Sequence, residues 1–231
     1  MRVIGVLGGM SWESTQGYYR ALNEGVKAAL GGFHSAKIVL VSVDFAEIEA
    51  LQQQGDWHTA GELLGNAAQS VERAGADCLL MATNTMHNVA PAVEQAVTIP
   101  LLHIADATAE QLAADGVTRV GLLGTRFTME QDFYIGRLEK QFGIDVVVPD
   151  DAERDTIHQI IFAELCQGRI EDISRQRYLA IIDSLHAQGA QAVILGCTEI
   201  AMLVSQDDTQ VPLYDTTALH AQRAVAWALG E

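Results

Sequence analysis

A chain of 231 residues, 49% of them hydrophobic, has enough material for one large α/β domain or two small ones, and no run of eighteen or more apolar residues reads as a membrane span. Against 14 Lys and Arg stand 30 Asp and Glu, and the resulting formal charge of −16 repels nucleic acid and anionic lipid, so neither is an expected partner. The opening Met1-Arg2-Val3-Ile4-Gly5-Val6-Leu7-Gly8-Gly9 is too short an apolar run for a secretion signal and reads as a first strand, which makes a cytoplasmic protein the expectation.

In chain order, apolar runs at 2–8, 37–43, 77–82, 100–103, 118–123, 144–148, 191–196 and 211–214 predict strands. They are rich in Val, Ile and Leu without polar alternation, as in a parallel sheet covered on both faces. Between them, 58–74, 106–115, 131–142, 152–167, 172–188 and 216–229 carry apolar residues at three- and four-residue spacing and predict helices. The alternation predicts an α/β fold with an open, mostly parallel sheet flanked by helices.

An internal repeat divides the chain. Arg2-Val3-Ile4-Gly5-Val6-Leu7-Gly8 matches Arg119-Val120-Gly121-Leu122-Leu123-Gly124, with Gly5 on Gly121 and Gly8 on Gly124. Ala74-Gly75-Ala76 and the strand after it match Gln188-Gly189-Ala190 and its strand, and Ile99-Pro100-Leu101 matches Val211-Pro212-Leu213. The three matches keep one order at separations of 112 to 116 residues, too long a period for a solenoid. Two similar, pseudosymmetric α/β halves are expected: a discontinuous first domain from 1–100 plus 207–231, a second from 101–206, and a ligand cleft between them.

The second match carries candidate chemistry, because Thr83 falls on Cys197 and each ends a strand. Ligands of open α/β sheets bind beyond the carboxyl ends of the strands. A cysteine there is read as a thiolate stabilised by free N–H groups at a helix N-terminus, and those groups, with the hydroxyls of Thr85 and Thr198, as a carboxylate cradle. Equally open is a small buried cysteine at a strand end. Cys78 within a strand and Cys166 among Ile161, Phe162 and Leu165 read as packing residues; an odd set of three cysteines at these spacings fits neither a metal motif nor a disulfide framework. His87 either orders its loop, touches substrate or is structural, and the remaining histidines show no metal-ligand spacing.

Taken together, Gly8-Gly9-Met10-Ser11-Trp12-Glu13-Ser14-Thr15, Asn84-Thr85-Met86-His87 and Gly196-Cys197-Thr198-Glu199-Ile200 resemble the aspartate/glutamate racemase family over essentially the whole chain. The resemblance implies a two-domain pseudosymmetric fold, usually a homodimer, and racemisation of small acidic amino acids with neither pyridoxal phosphate nor metal. In that family two cysteines flank the substrate's α-carbon; here the first is Thr83. The resemblance therefore implies that Cys197 abstracts the α-proton of an L-amino acid and that reprotonation comes from the Thr83 side, as in a branch specific for L-aspartate and L-glutamate. It further suggests substrate contacts from Met10 in the glycine turn, from Thr125 at the equivalent turn of the second half, and from Asn84 and Glu199, the last two also readable as helix caps. Gln52 resembles a position where some members use a basic residue for a substrate carboxylate, and a neutral amide there softens the preference for acidic side chains. Two other readings stand beside this one: a single-cysteine decarboxylase of substituted malonates, and a noncatalytic amino-acid-binding protein.

Overall fold

The structure, a computed structural model, describes residues 1–230. Its elements run β1 (Ile4–Gly8), α1 (Trp12–Leu30), β2 (Ile38–Ser42), α2 (Phe45–Gln54), α3 (Trp57–Arg73), β3 (Cys78–Met81), a 3₁₀ turn (Thr85–Val89), α4 (Ala90–Ala96) and α5 (Ile104–Ala114). There follow β4 (Arg119–Gly124), α6 (Arg126–Glu130), α7 (Asp132–Phe142), β5 (Asp145–Val147), α8 (Asp151–Ala163), a 3₁₀ turn (Leu165–Gln167), α9 (Asp172–Ala187), β6 (Ala192–Gly196), α10 (Ile200–Leu203), β7 (Leu213–Asp215) and α11 (Thr216–Leu229). All strand pairs are parallel, in one sheet of order β2-β1-β3 and another of order β5-β4-β6-β7.

The chain forms two compact units, Met1–Ile104 with Thr217–Glu231, and Ala105–Thr216. In the first, period-two alternation sends the residues of β1 and β3 to opposite faces. Leu7, Leu79 and Met81 meet Ala60, Leu64, Ala68 and Val71 of α3 and Ile48 of α2. Ile4, Val6, Cys78 and Leu80 meet Tyr18, Leu22 and Val26 of α1 and Ala221, Ala224, Val225 and Ala228 of α11. Strands β1 and β3 are wholly buried, which is why they read as unbroken apolar runs, while edge strand β2 is half-exposed.

In the second unit β4 and β6 are the buried central strands, with α8 and α9 packed on β4 and α7 against β5. Helix α5 is held there by a paired contact of Arg137 with Asp106, Nε to Oδ1 at 2.5 Å and Nη2 to Oδ2 at 2.8 Å, and by the Tyr214 hydroxyl donating to Asp115 at 2.7 Å. Each unit thus contains the helix that follows the other unit's last extended segment: α5 follows Leu101, and α11 follows β7.

Three sequence expectations need correction. The stretch 100–103 is no strand but a single parallel bridge, Leu101 with Leu79, because Pro100 has no N–H to give and the chain turns into α5 at Ile104. The stretch 207–216 lies with the second unit, since β7 hydrogen-bonds β6, and the chain rejoins the first unit only at Thr217. The helix expected over 152–167 breaks at Glu164 into α8 and a 3₁₀ turn. Five helices, α1, α2, α4, α6 and α10, have no counterpart among the segments predicted as helices.

Candidate active site

In the first unit the candidate residues gather at the carboxyl ends of β1 and β3, adjacent in the sheet through the pair Leu7–Met81. The turn after β1 needs glycine at Gly9, where φ is 92° and a Cβ would lie 2.3 Å from the Val43 carbonyl oxygen. Gly9 N–H donates to Thr15 Oγ1 at 2.9 Å, and that hydroxyl donates to the Ser11 carbonyl at 2.7 Å, so the Ser-Trp-Glu-Ser-Thr run closes the turn. Met10 is buried in the apolar cluster of Leu7, Ile48 and Met86. The Gln52 side chain, on α2, is buried with Nε2 2.9 Å from Met86 Sδ, and its Oε1 meets no donor among the described residues.

Thr83, Asn84 and Thr85 are all buried. Thr83 N–H is taken up by the Met81 carbonyl at 2.8 Å, and the Thr83 carbonyl receives His87 Nδ1 at 2.7 Å. A 3₁₀ turn, not an α-helix, follows Thr83.

In the second unit Thr125 and Cys197 directly follow the register partners Gly124 and Gly196, so they stand side by side at the carboxyl end of the sheet. Thr125 caps α6, its hydroxyl accepting from Thr128 N–H at 3.3 Å. Cys197 Sγ donates to Glu199 Oε2 at 3.0 Å, and Thr198 Oγ1 donates to the same oxygen at 2.8 Å. All three residues are buried, Cys197 at 7% exposure and Glu199 at 2%.

Of the expected N–H stabilisation of a thiolate, a bond from the Glu199 N–H is present and is outweighed. Burial first, and the Glu199 charge second, hold the Cys197 thiol well above the ordinary value of 9.0. Helix α10 starts three residues later, has four residues, and its first N–H, at Ile200, already donates to the Cys197 carbonyl at 3.1 Å. The Thr198 hydroxyl, expected to hold a substrate carboxylate, is turned to Glu199.

Of the other cysteines, Cys78 belongs to the first unit's sheet, whereas Cys166 is near enough to Cys197 to add to the elevation of its thiol. Burial pushes the Cys78 thiol, inside β3, up to about 12. Cys166 is partly exposed on the 3₁₀ turn after α8. Among the described residues no group of three or more His, Cys, Asp and Glu could hold a metal ion, and no helix is long and apolar enough to cross a membrane.

Sequence alone did not reveal a histidine cluster beneath Thr83. His87, His103 and His220 pack with ring centroids 4.4 Å apart for the first two and 6.0 Å for His87 and His220. Their separation along the chain left no spacing signal to find.

A family model described as Asp/Glu/Hydantoin racemase matches residues 7–224, and the chain belongs to that family. A candidate Asp/Glu racemase from Yersinia pestis, known from a crystal structure, is 56% identical with a TM-score of 0.91, covering 99% of this chain and 100% of that one. An aspartate racemase homologue from Pyrococcus horikoshii OT3 is 35% identical with a TM-score of 0.85, over 99% and 100% of the two chains. The broad specificity amino-acid racemase RacX of Bacillus subtilis (strain 168) is 24% identical over 161 residues, 70% of this chain and 69% of its own. The family supports an amino-acid racemase activity, and the two solved structures share the two-sheet α/β fold.

Proposed function

We propose that the protein is a cofactor-independent, cytoplasmic racemase, active as a homodimer, that takes the α-proton of L-glutamate or L-aspartate with Cys197 and reprotonates from the Thr83 side. The observation that carries this reading is the Cys197 thiol donating to the buried Glu199 carboxylate at 3.0 Å. One proton and one negative charge are shared by the pair. When the proton moves to Glu199, Cys197 becomes a thiolate in a site nearly free of water, where it is a capable base. The thiolate takes the α-proton, the C–H electron pair spreads into the substrate carboxylate, and donors on the two loops meet the developing charge. A proton then reaches the opposite face through the Thr83 hydroxyl, replaced from solvent, and Glu199 returns its proton to solvent. A hydroxyl is a far weaker acid than a thiol, so the two faces are unequal and L substrates exchange faster than D.

The substrate's ammonium is assigned to Glu199 and to the buried, unpartnered Oε1 of Gln52. Its α-carboxylate is assigned to Asn84, Thr85, Thr125 and backbone near Met10, with the Thr198 hydroxyl available once Glu199 is occupied. None of these residues is cationic, which favours a site that also accepts uncharged side chains.

The test is incubation with L- and D-glutamate and L- and D-aspartate in D₂O without added cofactor, following the α-proton by NMR and the product by chiral chromatography. Fast L exchange, slow D exchange, some D product and loss of all three in Cys197→Ser are expected. Absence of exchange from all four sinks the reading; substituted malonates and binding without turnover are then the next assays.

A further inference from the structure

Resting on the racemase reading, one residue outside the assigned contacts stands out by its position. His87 is 1% exposed and joins two backbone sites. Its Nδ1 lies 2.7 Å from the Thr83 carbonyl, and its Nε2 receives the Ile104 N–H at 3.3 Å. A carbonyl can only accept and an N–H can only donate, so the ring is neutral with its proton on Nδ1. Ile104 is the first residue of α5, the point where the chain leaves the first unit.

The ring is itself held. His103 packs against it, and His220 lies behind. His220 is fixed in the opposite tautomer: Nε2 donates to the Leu102 carbonyl at 2.7 Å and Nδ1 accepts from the Tyr18 hydroxyl at 2.9 Å. A continuous set of partners therefore runs from α1 through α11 and the 102–104 segment to the carbonyl of Thr83. Apolar side chains would fill this volume equally well; what they could not supply is a directional hold on the Thr83 backbone.

We propose that His87 is a positioning residue, which sets where the Thr83 hydroxyl lies by donating from Nδ1 to the Thr83 carbonyl, without touching substrate. Its effect falls on one face of the reaction. Proton removal by Cys197, and deuterium return to the same face, need no help from Thr83. Inversion does.

Two variants separate the ring's two bonds. In His87→Asn the amide nitrogen reaches the place of Nδ1 and keeps the donor to Thr83. In His87→Gln the amide extends to the place of Nε2 and leaves that carbonyl without it. With L-glutamate in D₂O, the ratio of D product to α-deuterated L substrate is the readout. Misplacing a reacting group by a fraction of an ångström costs about tenfold, so His87→Gln is expected to lower the ratio by about that factor and His87→Asn to keep it within about threefold of wild type. Thermal midpoints of both variants control for folding, and a loss of packing alone lowers exchange and inversion together. An unchanged ratio in His87→Gln, or equal falls in both variants, overturns the proposal while wild-type exchange still upholds the racemase. Absence of wild-type exchange removes the racemase reading and this role with it. Independently of turnover, ¹⁵N correlation of the wild-type imidazole is expected to show the proton on Nδ1; a proton on Nε2 overturns the proposal.

Discussion

Replacing Glu199 by glutamine keeps the shape of the side chain and removes its charge. In the folded protein Oε2 accepts from Cys197 at 3.0 Å and from Thr198 at 2.8 Å. An amide oxygen can accept the same two bonds but cannot take a proton from a thiol. A positioned proton acceptor contributes about 10²–10⁴-fold to rate, equivalent to about 3–5 kcal/mol of barrier, and a loss in that range is expected for α-proton exchange from L-glutamate. Stability moves less: each charge-assisted bond weakens by about 1 kcal/mol, but the cost of burying the carboxylate also disappears, and these offset to within about 1–2 kcal/mol. The thiol moves the other way. Glu199 is the second cause of its elevation, so Cys197 ionises more easily in the variant, although burial still holds it high. Glu199→Gln should thus have a more easily alkylated cysteine and a slower reaction. The checks are α-proton exchange by NMR, the pH profile of iodoacetamide labelling at Cys197, and a thermal melt. Exchange within threefold of wild type in a folded variant would refute Glu199 as the acceptor.

The repeat partners Gly5 and Gly121 should differ under alanine substitution. At Gly5 a Cβ would stand 2.4 Å from Val71 Cγ1 and 2.6 Å from the rigid Cys78 carbonyl, whereas at Gly121 its first neighbour is the mobile Leu185 Cδ1 at 2.9 Å. Gly5→Ala should cost about 3 kcal/mol and Gly121→Ala about 1 kcal/mol in urea unfolding, and equal losses would contradict the contacts. Native-state labelling at pH 8 followed by mass spectrometry should mark Cys166 first and leave Cys78 unmodified, as its exposure and its thiol, pushed up to about 12, require. His158 is held below the ordinary 6.5 by burial, then by Arg126, and its Nδ1 accepts the Arg126 N–H at 3.2 Å. Because its folded value is depressed, its contribution is present above pH 6.5 and lost as pH falls through the lower folded value. The thermal midpoint of wild type should therefore fall more between pH 7 and 5 than that of His158→Gln.

Much of the fold was legible because several strands are covered on both faces, so Ile4–Gly8, Cys78–Met81 and Ala192–Gly196 stand out as uninterrupted apolar runs. Helix α1 was not, since its buried face at Ser14, Thr15, Tyr18, Leu22 and Val26 is half polar and its sequence includes two glycines. The boundary at 207 failed for a different reason: Val211-Pro212-Leu213 repeats Ile99-Pro100-Leu101, but only the later copy forms a strand. Within the candidate site, the equivalence of Thr83 and Cys197 was readable from the repeat. The state of the thiol was not, because it depends on Glu199 turning back toward Cys197 and on how far both are buried. The histidines beneath Thr83 are brought together by tertiary packing of segments 16 to 133 residues apart, which no local pattern encodes.

The exchange of helices α5 and α11 has a consequence for synthesis. A ribosome makes the first unit's sheet before the second unit, yet the face formed by Ile4, Val6, Cys78 and Leu80 lacks its cover from Ala221, Ala224, Val225 and Ala228 until α11 emerges. The second unit is contiguous and has all its parts once Thr216 has been made. The first unit is thus begun before the second and completed after it, and its apolar face must wait through translation of more than a hundred residues. A stop codon at His220 would leave that face open, so α11, which carries none of the residues assigned to chemistry, decides whether the Thr83 loop has a folded support.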